Sequence, residues 1–182
     1  MSQTEIPTVV EAALSAADHS LGDPHAHLTL LEYGDYASPA CILAEPGTRG
    51  LIGQHGRRLR FIYRHCPMVE SHPQAELAAE AAEAAAAQGQ FWAMHHALFN
   101  PPHLLALADL RAHAQAIGLD MIRFDAEMGD RIYTQRVQEH RRAAEFSGVR
   151  TTPAYFLNGQ KIDVAAGFAR LEQAIQAAQA GR

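Results

Sequence analysis

Apolar residues crowd positions 27–33, where Leu28, Leu30, Leu31 and Tyr33 stand between the breakers Pro24 and Gly34. A near-continuous apolar run of that length predicts a strand covered on both faces. Residues 59–64 repeat the pattern with Leu59, Phe61, Ile62 and Tyr63. Between the two runs, Ser38-Pro39 reads as a helix start, a hydroxyl N-cap followed by proline at the first helical position. That helix is expected to continue to about residue 55, with a kink at Pro46-Gly47. Strand, helix, strand over 27–64 predicts a βαβ unit, hence a parallel pair with a right-handed crossover.

From 71 to 146 the period is helical. Residues 74–88 are alanine-rich, and Glu76, Glu80 and Glu83 are expected on one solvated face. Gly89 breaks the pattern, 90–99 places Phe91, Met94 and Leu98 on one stripe, and Pro101-Pro102 breaks it again. Helices over 107–117, ending at Gly118, and over 121–128 and 130–146 complete the block. The β pattern then returns at 154–157, with Asn158-Gly159 as a hairpin turn and 161–164 as the return strand. Gly167 leads into a closing helix over 168–180, and a short helix is expected near 9–17. The order βαβ, helices, ββα is that of an α/β thioredoxin-like core, a four-stranded sheet interrupted by a helical lobe. It divides the chain into a lead-in (1–22), a core (23–70 and 148–182) and an inserted lobe (71–147).

Apolar residues make up 48% of the 182, enough for a sizeable core, and no apolar run is long enough to span a membrane. The net charge of −5 argues against a nucleic-acid partner. The first twenty residues lack a basic segment followed by an apolar one, and Glu5 and Glu11 interrupt them. A cytoplasmic chain is therefore expected, with a mature exported form as the alternative. Two cysteines do not make a disulfide framework by count. Of the eleven histidines, the pairs His25/His27 and His95/His96 lack helical ligand spacing, so packed or solvated histidines and no metal are expected.

Four segments, LEYGDYASPAC, RFIYRHCPM, HPQAELAAEAAEAAAAQGQFWAMHHALF and GVRTTPAYFLNG, resemble the DsbA-like thiol–disulfide oxidoreductases. The resemblance covers roughly residues 19–159. It implies a thioredoxin fold with an inserted helical lobe and an active site at the start of the first core helix. The family's Cys-Pro-x-Cys motif falls on Ser38-Pro39-Ala40-Cys41, so serine stands where the family has its exposed nucleophile. The family's cis-proline falls on Pro153 after Thr152, and its buried acid on Glu32. Thr151 replaces the usual glycine, and Cys66 stands where the family usually has phenylalanine.

Disulfide exchange needs a thiolate to attack and a second thiol to resolve the mixed disulfide. A serine hydroxyl is neutral near pH 7 and forms no disulfide. Ser38, Cys41, Pro153, Glu32 and Cys66 are thus the candidate catalytic positions of a degenerate site, with Pro39 and Thr152 lining it for substrate. Ser38 reads as an N-cap, and Cys41 and Cys66 read as inert buried thiols. The first reading is a redox-inactive relative that binds a peptide, a protein thiol or a small thiol beside Pro153. A second is a glutathione-dependent transferase or isomerase, similar to the kappa class, whose Ser38 hydroxyl meets the glutathione thiolate. A third is a monothiol protein using Cys41 with Cys66. No resident cofactor is expected; glutathione enters only as the ligand of these alternatives.

Overall fold

The structure is a computed structural model that describes residues 14–165 and 167–180. Positions 9–13 of the helix expected near 9–17 lie outside the described residues, and 14–17 form no helix.

The apolar run around Leu30 becomes β2 (Leu28–Gly34), and β3 (Leu59–His65) lies parallel to it, with Leu28 opposite Leu59 and Gly34 opposite His65. The crossover is α1 (Pro39–His55). Antiparallel strands flank this pair: β1 (His19–Leu21) on β3, and β4 (Ala154–Leu157) on β2. Then β5 (Gln160–Ile162) pairs with β4 through a turn in which Asn158 and Gly159 both have positive φ, 46° and 80°. Two successive left-handed residues are what a tight hairpin requires, and asparagine and glycine tolerate them best. The sheet order is β1-β3-β2-β4-β5. It therefore has five described strands rather than the four expected. Three residues carry too little pattern to announce β1, which exists because β3 offers it a long-range partner.

Alternation in the strands divides the core. Leu28, Leu30, Leu59, Phe61, Tyr63, Tyr155 and Leu157 face α1, the helices of the lobe and α7 (Ala169–Ala180). Leu31, Tyr33, Ile62, Ala154 and Phe156 face the other way, against Ala144 and Val149. The lobe comprises α2 (Ala75–Ala86), α3 (Phe91–Phe99), α4 (Leu107–Ala116), α5 (Met121–Gly129) and α6 (Thr134–Phe146). Alanine suits α2 because nine of its residues are buried and close helix packing leaves room for little more than a methyl group.

That packing overturns the solvated glutamate face. Glu80 is fully buried and held by Arg131, whose Nε lies 2.8 Å from Glu80 Oε2, and by the Thr134 hydroxyl at 3.1 Å. Glu83 is buried against His19 and His65. Of the three acids only Glu76 keeps appreciable exposure. The side chains that pair with Glu80 and Glu83 come from β1, β3 and the α5–α6 region, so no local spacing reveals them.

Candidate functional site

The site assembles where β2 ends and α1 begins. Ser38 takes the N-cap position in an extended conformation, and the Cys41 backbone N–H donates to its hydroxyl at 3.4 Å. Pro39 begins the helix. Cys41 is 1% exposed, and the Asp35 backbone N–H points at its sulfur from 3.5 Å. The Thr152 side chain is among the surroundings that bear on the thiol, and Thr152 and Pro153 line one groove with Ala40 of the motif, more than a hundred residues away along the chain. The Thr152–Pro153 peptide is cis. Burial pushes the Cys41 thiol up to about 12, and Glu32 adds to the rise. A thiol in that environment stays protonated at neutral pH.

Glu32 sits at the middle of β2, directly between Tyr63 of β3 and Tyr155 of β4 in the sheet register. It is 3% exposed, and the Thr48 hydroxyl of α1 lies 3.5 Å from Glu32 Oε2 and 2.6 Å from the Tyr155 hydroxyl. Burial, with the Glu45 carboxylate nearby, pushes the Glu32 carboxyl up to about 8, against the hydrogen bonds from Tyr155 and Thr48. Near neutral pH the site therefore holds a protonated acid beside a protonated thiol.

Cys66 does not join them. Its N–H donates to the Gly34 carbonyl at 2.8 Å, but its side chain packs with Leu31, Tyr33 and Val149, whereas Cys41 packs in the opposite core cluster. Both cysteines are free and buried. Burial, with Asp35 nearby, pushes Cys66 up to about 11.

Several residues absent from the sequence reading organise the site. The buried Asp35 carboxylate accepts from the Ala37 N–H at 2.8 Å, from the Met68 N–H at 2.9 Å and from His72 Nδ1 at 2.7 Å. It ties the motif loop to the loop after β3. Its bond to Ala37 is an Asx turn, for which an aspartate just after a strand and before a helix cap is the sequence signal. Beneath α1, Tyr36 meets His95 Nδ1 at 3.1 Å, and His95 Nε2 lies 3.8 Å from Glu45. Burial holds His95 below its usual proton affinity. These partners lie on separate elements, and no spacing connects them.

Beside Pro153 a groove of about 910 Å³ is lined by Ala40, Leu43, Thr152, Pro153, Asp163 and Phe168, among others. Leu43 is 82% exposed there.

Comparison with known proteins follows the same geography. The family model described as Thioredoxin matches residues 14–177. A thioredoxin-like oxidoreductase from Silicibacter pomeroyi superposes with a TM-score of 0.78 at 26% identity, covering 92% of this chain and 94% of that one. Oxidised BdbD from Bacillus subtilis superposes with a TM-score of 0.80 at 18% identity, over 90% of this chain and 94% of that one, a likeness of fold. Among curated sequences, the Na(+)/H(+) antiporter NhaA 1 of Salinispora arenicola is 39% identical over 164 residues, 90% of this chain. The chain spans about a quarter of the length of the antiporters it matches. No described helix is long and apolar enough to cross a membrane. The family match spans sheet, lobe and motif loop, and the chain belongs to the DsbA-like thioredoxin-fold family.

Proposed function

We propose that this chain is an oxidoreductase homologue that no longer exchanges disulfides and instead holds an extended peptide or small thiol in the groove beside Pro153. The carrying observation is the Ser38–Cys41 arrangement: a hydroxyl caps α1, and the one motif sulfur is buried, in surroundings that favour its protonated form. A neutral hydroxyl and a buried thiol supply neither the attacking thiolate nor the redox couple that exchange needs. The groove remains. Leu43 gives it an exposed apolar wall, and β5 offers a short exposed strand at the edge of the described sheet. An extended chain can use both features, backbone against the edge and side chains against the wall. The similarity to antiporters covers a quarter of their length, so ion exchange is not part of the proposal.

Insulin reduction and oxidative refolding assays on the chain and on Ser38→Cys test this reading. The unmodified chain should be inactive, and the variant should gain a reducible disulfide and turnover. Titration with an unstructured, cysteine-free peptide should move the resonances of Leu43, Thr152 and Phe168, and Leu43→Asp should weaken binding about tenfold, as expected for one lost apolar anchor. Turnover by the unmodified chain at the rate of its Ser38→Cys variant would overturn the proposal.

A further inference from the structure

Glu83, one of the two glutamates that break the solvated-face expectation, is part of a group unrelated to the motif. His19 on β1, His65 on β3 and Glu83 on α2 converge, although the sequence separates them by up to 64 residues. Both imidazoles direct Nε2 at the same oxygen, Glu83 Oε1, from 2.9 Å each. The three donor atoms lie within 4.8 Å of one another. His65 is 1% exposed and Glu83 6%, while His19 keeps enough exposure to leave the group a way to solvent.

We propose that His19, His65 and Glu83 form a site for one divalent transition-metal ion of the zinc type. Two imidazoles and a carboxylate are a donor set that suits zinc and its neighbours and not magnesium, which prefers oxygen alone. Ligand bonds of ~2.0–2.1 Å put neighbouring donors of a tetrahedral ion ~3.3 Å apart, so the present 2.9 Å contacts open by a few tenths of an ångström on loading. The rings are already aimed. His19 is stacked on Phe91 with centroids 3.6 Å apart, and the His65 backbone N–H is anchored to His140 Nδ1 at 3.2 Å.

The protons also balance. In the empty site each ring presents Nε2 to Glu83 Oε1, and a ring that carries its proton there passes it to Nδ1 on loading, so that Nε2 gives its lone pair to the ion. His65 Nδ1 is free for this, being buried without a hydrogen-bond partner among the described residues. A fourth position falls to water entering beside His19. Arg136 Nε, 4.0 Å from Glu83 Oε1, is the opposing charge and holds the affinity to a moderate level. Because the ligands come from two strands and a lobe helix, a bound ion joins the sheet to the lobe.

Zinc chloride titrated calorimetrically into the metal-free chain tests the site. One ion per chain is expected, with a Kd of ~1–10 µM and a rise in melting temperature of roughly 5–10 °C at a hundredfold excess over Kd. Magnesium should do neither. His19→Gln and Glu83→Gln each keep a hydrogen-bonding side chain and should weaken binding at least tenfold. Histidine ring resonances of the unmodified chain give an arm independent of any variant's folding, and those of His19 and His65 should shift first. No binding at ~100 µM zinc, unchanged affinity in both variants, or first shifts at other histidines would each overturn the proposal.

Discussion

The backbone N–H of Cys41 donates to the Ser38 hydroxyl at 3.4 Å, so the two ends of the motif are joined through a helix cap and not through sulfur. Removing the cap costs what any N-cap costs. Ser38→Ala should lower stability by about 0.5–1 kcal/mol, the low end of the range because the bond is long. Urea unfolding followed by circular dichroism measures it. A loss above ~2 kcal/mol would give Ser38 a second structural partner.

Both thiols should be silent in the native state. With Cys41 pushed up to about 12 and Cys66 to about 11, the thiolate fraction near pH 7.5 is below about one in a thousand for each, and both sulfurs are covered. A chromogenic thiol reagent should label less than about 0.1 equivalent within minutes in buffer. Two equivalents should react in denaturant, since the sequence contains two cysteines. One rapidly labelled native thiol would contradict the buried placement of its cysteine.

Gly34 carries a different constraint. A Cβ built there lies 2.5 Å from Tyr63 Cε2 and 2.7 Å from the Tyr63 hydroxyl, and Tyr63 is fully buried. The ring has little room to retreat, since Tyr36 and His95 pack on it with centroids 5.4 and 4.6 Å away. Gly34→Ala should therefore destabilise by about 1–3 kcal/mol, as overpacking does. Pairing it with Tyr63→Leu should recover part of the loss, and a double-mutant cycle in urea reads the coupling.

These cases show what the sequence could reveal. The βαβ unit, the Asn158-Gly159 turn and the Ser38 cap were legible because each is a local pattern with a local cause. Residues 19–21 are too few to display a period, so β1 was not legible. The acids of α2 misled for a related reason. A glutamate in an alanine-rich helix reads as solvated unless its partner is visible, and the partner of Glu80 is Arg131, fifty-one residues away. In the site, the resemblance pointed to the start of α1 and to Pro153 but also to Cys66, which packs in the opposite core cluster, and Asp35–His72 and Glu45–His95 were not legible, because each pair spans two elements.

Arg131 also carries a stability prediction. Its guanidinium grips both oxygens of the fully buried Glu80, while Arg131 itself is about half exposed. Arg131→Ala leaves the carboxylate with the Thr134 hydroxyl. A loss of about 2–3 kcal/mol is expected, below the full cost of breaking a buried pair because water reaches one side. Arg131→Ala combined with Glu80→Gln should recover stability, and thermal unfolding of the three variants checks the order.

Glu32 should leave a signature in the pH dependence of stability. Its carboxyl is pushed up to about 8 by burial and by Glu45, against an ordinary value of 4.5 in the unfolded chain. Between those values the folded state holds a proton that the unfolded state has released. Its contribution to stability therefore falls as pH rises from about 4.5 to about 8 and levels off above, with roughly 2–4 kcal/mol lost over that window. The buried histidines work in the opposite sense. Burial holds His65 below its usual value and His140 at about 2, so below pH 6.5 the unfolded state binds their protons and the folded state does not. Their contribution rises with pH to about 6.5 and then stops, which leaves pH 7–8 to Glu32, because above about 8 the raised thiols of Cys41 and Cys66 add a loss of the same sign. Urea unfolding at pH 7, 7.5 and 8 should show the unmodified chain weakening across the series, and Glu32→Gln should remove that slope. The variant should also be the more stable of the two at pH 9, because a buried amide carries no charge to desolvate. An equal slope in both proteins would place the titrating group elsewhere and Glu32 in its ionised form.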